Sequence, residues 1–75
     1  MGKLPAVRAR DLIRVARSLG FVFDRQRGSH AVYYRASDRR RIVIPQHAGR
    51  DLKPGTLRGI FNDMGITPEK FAELL

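Results

Sequence analysis

The sequence predicts a small α+β domain in which three antiparallel strands carry helices on one face. Two amphipathic runs with helical spacing lie towards the two ends of the 75-residue chain. Three short runs rich in β-branched and aromatic residues lie between them. The runs are separated by only two to six residues, which implies an antiparallel meander. The expected order is α-β-β-β-α plus a short C-terminal helix, and residues 1–75 are expected to form one domain.

The first helix is predicted from about Arg8 to Leu19. Its apolar residues recur on one side, and the arginines of the run collect on the other. Gly20 follows as a C-terminal stop. The apolar side consists of Leu12, Ile13, Val15, Ala16 and Leu19.

Three strands are predicted at Phe21–Arg27, Ala31–Arg35 and Arg41–Pro45. The first two meet at the corner Gly28-Ser29, where glycine turns the backbone without steric strain. We expect the Ser29 hydroxyl to hold this corner. The third strand ends at its proline, which cannot donate a hydrogen bond to the ladder.

Two helices are predicted after an irregular loop. The first runs from Pro54 to Met64, with proline in its first turn and Gly65 as its stop. The second runs from Pro68 to Leu74 and follows Thr67, a residue type preferred at the N-cap.

The charge of the chain indicates an anionic partner. Fifteen Lys and Arg residues against seven Asp and Glu give a net charge of +8, and the isoelectric point is about 11.4. RNA, DNA or an acidic protein would fit such a surface, although the charge could also serve solubility alone. The absence of cysteine excludes disulfides and thiolate metal sites. No run has the roughly 18 apolar residues of a membrane span, so we expect a cytoplasmic protein.

His30 is the candidate catalytic residue, since it starts a strand directly after the corner and follows the cationic residues Arg25 and Arg27. An unperturbed imidazole both takes and gives protons near neutral pH. It could deprotonate a ribose 2′-hydroxyl, whose attack on phosphorus leaves a 2′,3′-cyclic phosphate. The two arginines, or a helix-start amide near Lys53, could stabilise the phosphoryl oxygens. An ordinary surface histidine in a hairpin is the competing interpretation.

Other residues allow both functional and structural interpretations. One of the adjacent Tyr33 and Tyr34 is expected in the core, and the other could stack on unpaired bases. Lys53 and Arg58 could hold a phosphate at a helix start or simply be solvated. His47 could be a second acid but is expected to be a loop residue. A Ser29–His30 dyad is disfavoured because neighbouring strand residues point to opposite faces, and too few ligands surround the histidines for a metal site. The candidate RNA contacts are Arg25, Arg27, Gly28, Ser29, Tyr34, Lys53 and Arg58.

Several motifs, in this order and spacing, resemble the HicA family of type II toxins. The family consists of small mRNA-cleaving ribonucleases with a double-stranded-RNA-binding-domain-like fold, which shares the order predicted above. The resemblance covers nearly the whole chain. It is carried by Leu19-Gly20-Phe21, Arg27-Gly28-Ser29-His30, Ile42-Val43-Ile44-Pro45-Gln46-His47, Lys53-Pro54-Gly55-Thr56-Leu57-Arg58-Gly59-Ile60 and Met64-Gly65-Ile66.

The resemblance implies that His30 is the catalytic residue, because Gly28-Ser29-His30 matches the motif that contains the family's histidine. Many members have a second histidine next in the chain, where this sequence has Ala31. The implied activity is mRNA cleavage, and from the scarcity of metal ligands we expect it to need neither a metal ion nor a cofactor. The implied partner is a HicB-like antitoxin that covers the active site, and oligomers are expected only through it. A non-catalytic RNA- or DNA-binding module and a purely protein-binding domain remain the alternatives.

Overall fold

The computed structural model describes residues 6–47 and 49–75, so residues 1–5 and 48 of the expected single domain lie outside the described part. The three strands form one antiparallel sheet of order β1-β2-β3, which confirms the predicted α+β class. No helix in the described ranges is long and apolar enough to cross a membrane. In chain order the elements are α1 (Ala9–Ser18), β1 (Val22–Arg27), β2 (His30–Arg35), β3 (Arg40–Pro45), α2 (Pro54–Met64) and α3 (Pro68–Leu74).

The ends of the elements follow the local signals in the sequence. Helices α2 and α3 have the predicted bounds. Each strand differs from its prediction by one residue at its start, and α1 is one residue shorter at each end. Gly65 ends α2 with φ at 79°, a left-handed conformation that costs glycine no steric strain. The Thr67 hydroxyl accepts a hydrogen bond from the Lys70 amide at 3.1 Å, which confirms it as the N-cap of α3.

The core lies between the helices and one face of the sheet. Strand β2 contributes Ala31 and Tyr33, and β3 contributes Ile42 and Ile44. Tyr33 is therefore the core tyrosine of the adjacent pair. No polar or charged side chain among the described residues is buried, so the fold depends on apolar packing. The largest fully buried side chains are Phe21, Phe61, Phe71, Leu12, Ile42, Ile44, Leu57, Met64, Val7 and Val15.

A single carboxylate connects the β2–β3 turn to the ends of both long helices. Asp38 accepts two hydrogen bonds from the Arg35 guanidinium, at 3.0 and 2.8 Å. Arg35 also donates to the carbonyl of Leu19 at the end of α1, at 2.7 Å. Asp38 accepts a further bond from Arg40 at 3.0 Å, and Arg40 donates to the carbonyl of Asp63 in the last turn of α2 at 3.2 Å. Both arginines thus lie where the helix dipole favours a cation.

Because of this network, the stability of the protein should fall at acid pH. The hydrogen bonds from Arg35 lower the pKa of Asp38 from 3.8 to about 2. Because the pKa of this carboxyl is lower in the folded protein than in the unfolded chain, the carboxylate stabilises the fold at pH values above the unfolded pKa. This stabilisation is lost as the pH falls through about 2. We therefore expect Asp38→Asn to have a lower melting temperature than the wild type at pH 7. Near pH 2 the two proteins should have nearly equal melting temperatures. Thermal melts followed by circular dichroism across this range measure the difference.

The control for this prediction is Glu73→Gln. The Glu73 carboxylate is 71% exposed and approaches only Lys70 among its described neighbours, at 3.7 Å. Such exposed pairs contribute little to stability, so this variant should follow the wild type at every pH. A melting difference for Asp38→Asn that stays constant between pH 7 and pH 2 would contradict the assigned role of its carboxylate.

Candidate active site

The hairpin corner between β1 and β2 determines where His30 lies. Gly28 has a φ of 57°, the positive value that type II′ hairpin turns require at their first central residue. Arg27 and His30 form the last pair of the β1–β2 ladder. The carbonyl of Ser29 accepts a hydrogen bond from the Gln46 amide at 2.6 Å. The main chain of Ser29 thus attaches the corner to the residue that follows β3. From the sequence, the Ser29 hydroxyl rather than its main chain was expected to hold this corner.

A β-bulge at Asp24 places the arginines of β1 on the same face as His30. Phe23 pairs with Tyr33, which faces the helices, but the register shifts before the next pair. As a result Arg25 pairs with Val32 and Arg27 pairs with His30. Paired residues on adjacent strands share a face, so both arginines project from the face opposite the helices. Bulges commonly re-aim side chains next to functional sites.

The open face of the sheet contains a shallow groove of about 480 Å³. His30 lies at one end of this groove and is exposed to solvent. Val32 forms part of its floor and is only 5% exposed, although it lies outside the helix-side core. The groove thus combines cationic walls and one imidazole with an apolar floor. It is lined by Arg25, Arg27, His30, Val32, Arg41 and Val43, which we call the His30 groove.

Arg41 is a groove residue that the sequence interpretation missed. Its Cζ lies 4.9 Å from the centroid of the Tyr34 ring, within the range of a cation–π contact. Its Nε lies 4.0 Å from Asp24, and the Nε of Arg25 lies 3.9 Å from the same carboxylate. The side chain of Arg41 is nevertheless 51% exposed. Alternation along β3 around the inward-facing Ile42 could have indicated this position.

The structure separates two of the predicted RNA contacts from the His30 groove. Lys53 lines a different cleft, of about 300 Å³, together with His47 and Arg50. Arg58 lines a third depression beside the start of α3. Tyr34 lies on the open face beneath Arg41. The helix-start amide near Lys53 is therefore not part of the groove that contains the imidazole, and a role of this lysine or of Arg58 in RNA binding stays a prediction.

The second histidine also lies apart from the first. His47 is exposed and lines two clefts, neither of which includes His30. Its carbonyl accepts a hydrogen bond from the Arg50 amide at 3.1 Å, as expected of a residue that organises a loop. Within residues 6–47 and 49–75, no three His, Cys, Asp or Glu side chains converge as metal ligands.

Comparison with known proteins identifies the family of the chain. The family model described as the HicA toxin of bacterial toxin–antitoxin systems matches residues 9–66. This range begins with α1 and includes the whole sheet, the His30 groove and α2. A search of curated proteins found no match. Because the match extends over more than half of the 75 residues, the chain belongs to the HicA family, the toxins of bacterial toxin–antitoxin systems.

Proposed function

We propose that this toxin is an endoribonuclease that cleaves mRNA without a metal ion and uses His30 to move the proton. The observation that carries the proposal is that an exposed imidazole lines the same groove as three guanidinium groups, those of Arg25, Arg27 and Arg41. Family membership supports a toxin and, more generally, a nuclease. Phosphates bind readily to arginine, and the groove offers a proton acceptor among these cations.

The proposed reaction is an intramolecular displacement at phosphorus. His30 takes the proton of a ribose 2′-hydroxyl, and the resulting oxygen nucleophile attacks the adjacent phosphorus. A new bond forms between the 2′ oxygen and phosphorus while the bond from phosphorus to the 5′ oxygen breaks. The leaving oxygen takes up one proton from solvent water, and His30 returns the proton it accepted to the solvent, so the products are a 2′,3′-cyclic phosphate and a 5′-hydroxyl end. Neither a co-reactant nor a covalent enzyme intermediate is needed.

The arginines stabilise the negative charge that develops on the phosphoryl oxygens during this displacement. Preorganised donors are effective because they require no reorientation when the charge appears. Arg27 lies directly across the ladder from His30, so it is suited to the scissile phosphate. Arg41 is already oriented by the Tyr34 ring and by Asp24. Arg25 lies further along the groove, where a neighbouring phosphate would pass.

The test is incubation of a single-stranded RNA with the purified toxin in the presence of EDTA. We expect cleavage to persist in EDTA and the products to carry 2′,3′-cyclic phosphate and 5′-hydroxyl ends, as read by mass spectrometry. An otherwise identical chain with 2′-deoxy sugars should bind but stay intact, because it lacks the attacking hydroxyl. Salt-dependent binding with no strand scission would instead identify a non-catalytic nucleic-acid-binding module.

A HicB-like antitoxin is the proposed protein partner. The family match supports a toxin–antitoxin pair, and the net charge of +8 supports an inhibitor that is acidic where it docks. Such an inhibitor would compete with RNA for the His30 groove, and oligomers would form through it. Because the proposed substrate is mRNA, the toxin would act in the cytoplasm. RNA cleavage that continues at saturating antitoxin would contradict competition at this groove.

A further inference from the structure

The His30 groove contains apolar surface that phosphate binding does not explain. Val43 is 43% exposed on the open face, and Val22 on the same face is 61% exposed. Beneath the arginines Val32 completes an apolar floor. A site that held only phosphates would not need such a floor, because phosphate oxygens bind to donors. Flat apolar surface flanked by cations fits a nucleobase, whose ring stacks while its phosphates contact the walls.

Arg41 presents a preorganised planar surface at the end of this floor. Its guanidinium lies over the Tyr34 ring on one side, 4.9 Å from the centroid, and its side chain remains half exposed. The approach of Asp24 to its Nε at 4.0 Å further restricts the side chain. A guanidinium held in this way can stack on a base with its outer surface, as arginine does with unpaired bases in RNA complexes.

The register of the sheet provides space between this surface and the imidazole. His30 pairs with Pro45 on β3, and Arg41 lies four residues away on the same strand. Because a strand rises about 3.4 Å per residue, the row of residues that contains His30 and the row that contains Arg41 lie roughly 14 Å apart. Val43 lies midway between them and on the same face. A nucleotide whose phosphate is near His30 could therefore place its base over Val43 and against Arg41.

We propose that the His30 groove contains a nucleobase subsite in which one unpaired base lies on Val43 and stacks on Arg41. Tyr34 acts in this subsite as a positioning residue beneath the guanidinium. The position of the base beside a scissile phosphate rests on the proposed ribonuclease function. A base within a duplex is already stacked between its neighbours, so the subsite selects single-stranded RNA.

The test compares Arg41→Lys with Arg17→Lys as the matched control. Both changes keep one positive charge and remove a guanidinium plane, and Arg17 is an exposed residue of α1. The probes are a short 2′-fluoro oligouridylate, which cannot undergo the cleavage, the same chain without bases, and the oligouridylate paired with its complement. Fluorescence anisotropy at constant salt gives the Kd of each variant for each probe, so phosphate contacts are matched within each comparison.

We expect Arg41→Lys to weaken binding of the intact single strand by about tenfold relative to the wild type, as a lost stacking contact would. On the abasic strand and on the duplex it should match Arg17→Lys. An equal effect of Arg41→Lys on all three probes would make Arg41 a phosphate contact and overturn the subsite. Equal binding by the two variants on the intact strand would also overturn it. Cleavage of natural RNA in EDTA is scored separately, so failure of the subsite and failure of the ribonuclease function give different results.

Discussion

Replacing His30 with alanine lowers the rate of RNA cleavage in EDTA by about 10²–10⁴-fold, the usual contribution of a positioned general acid or base. The imidazole is exposed and lies at the hairpin corner, outside the core cluster. Its loss therefore removes a proton acceptor without removing packing. Single-turnover cleavage of a labelled RNA, with toxin in excess, measures the chemical step directly. Binding of an uncleavable RNA should change much less, because Arg25, Arg27 and Arg41 still line the groove.

The matched control is His47→Ala, which removes the same side chain from a neighbouring cleft. The two clefts that His47 lines do not include His30, so this variant should cleave RNA at the wild-type rate. Circular dichroism spectra and melting temperatures of both variants should match those of the wild type. Wild-type cleavage by His30→Ala would refute the assigned role of the imidazole. A comparable loss in both histidine variants would contradict a mechanism based on one histidine.

The fold was predictable because each element has a local signal at its ends. Proline in the first turn and Gly65 after the last fix α2 at the predicted bounds, and the hydroxyl of Thr67 fixes the start of α3. The strands are short and β-branched, and short connections leave few alternatives to a meander. The position of His30 at the corner followed from Gly28, whose φ of 57° suits the turn.

The composition of the groove was less predictable, because it depends on contacts between strands. Simple alternation from Phe23 puts Arg25 and Arg27 on the helix side of the sheet. The bulge at Asp24 reverses this, and no local signal in the sequence specifies a bulge. The separation of Lys53 from the imidazole depends on how α2 packs on β3, which is tertiary information. Arg41 could have been found, because alternation within β3 is regular.

The core prediction with the largest expected effect is Phe61→Ala. Phe61 is 1% exposed in α2, and its ring centroid lies 4.7 Å from that of Phe71 in α3. Removing such a ring costs about 3–5 kcal/mol of unfolding free energy, from lost burial and the cavity that remains. A domain of this length has roughly 4–11 kcal/mol in total. We expect a fall in melting temperature of more than about 10 °C, measured by circular dichroism.

The control is Phe23→Ala, which removes the same ring from β1, where it is 51% exposed. Phe23 makes one edge-on contact with Tyr33, at 5.7 Å between centroids, so its loss should cost about 1 kcal/mol or less. Equal melting temperatures for the two variants would contradict the assignment of Phe61 to the core.

The effects of Phe61→Ala and His30→Ala on activity also differ in kind. Activity lost through Phe61→Ala should recover on cooling as the protein refolds. The rate of His30→Ala should stay below that of the wild type at every temperature, because its fold is intact and the proton acceptor is gone.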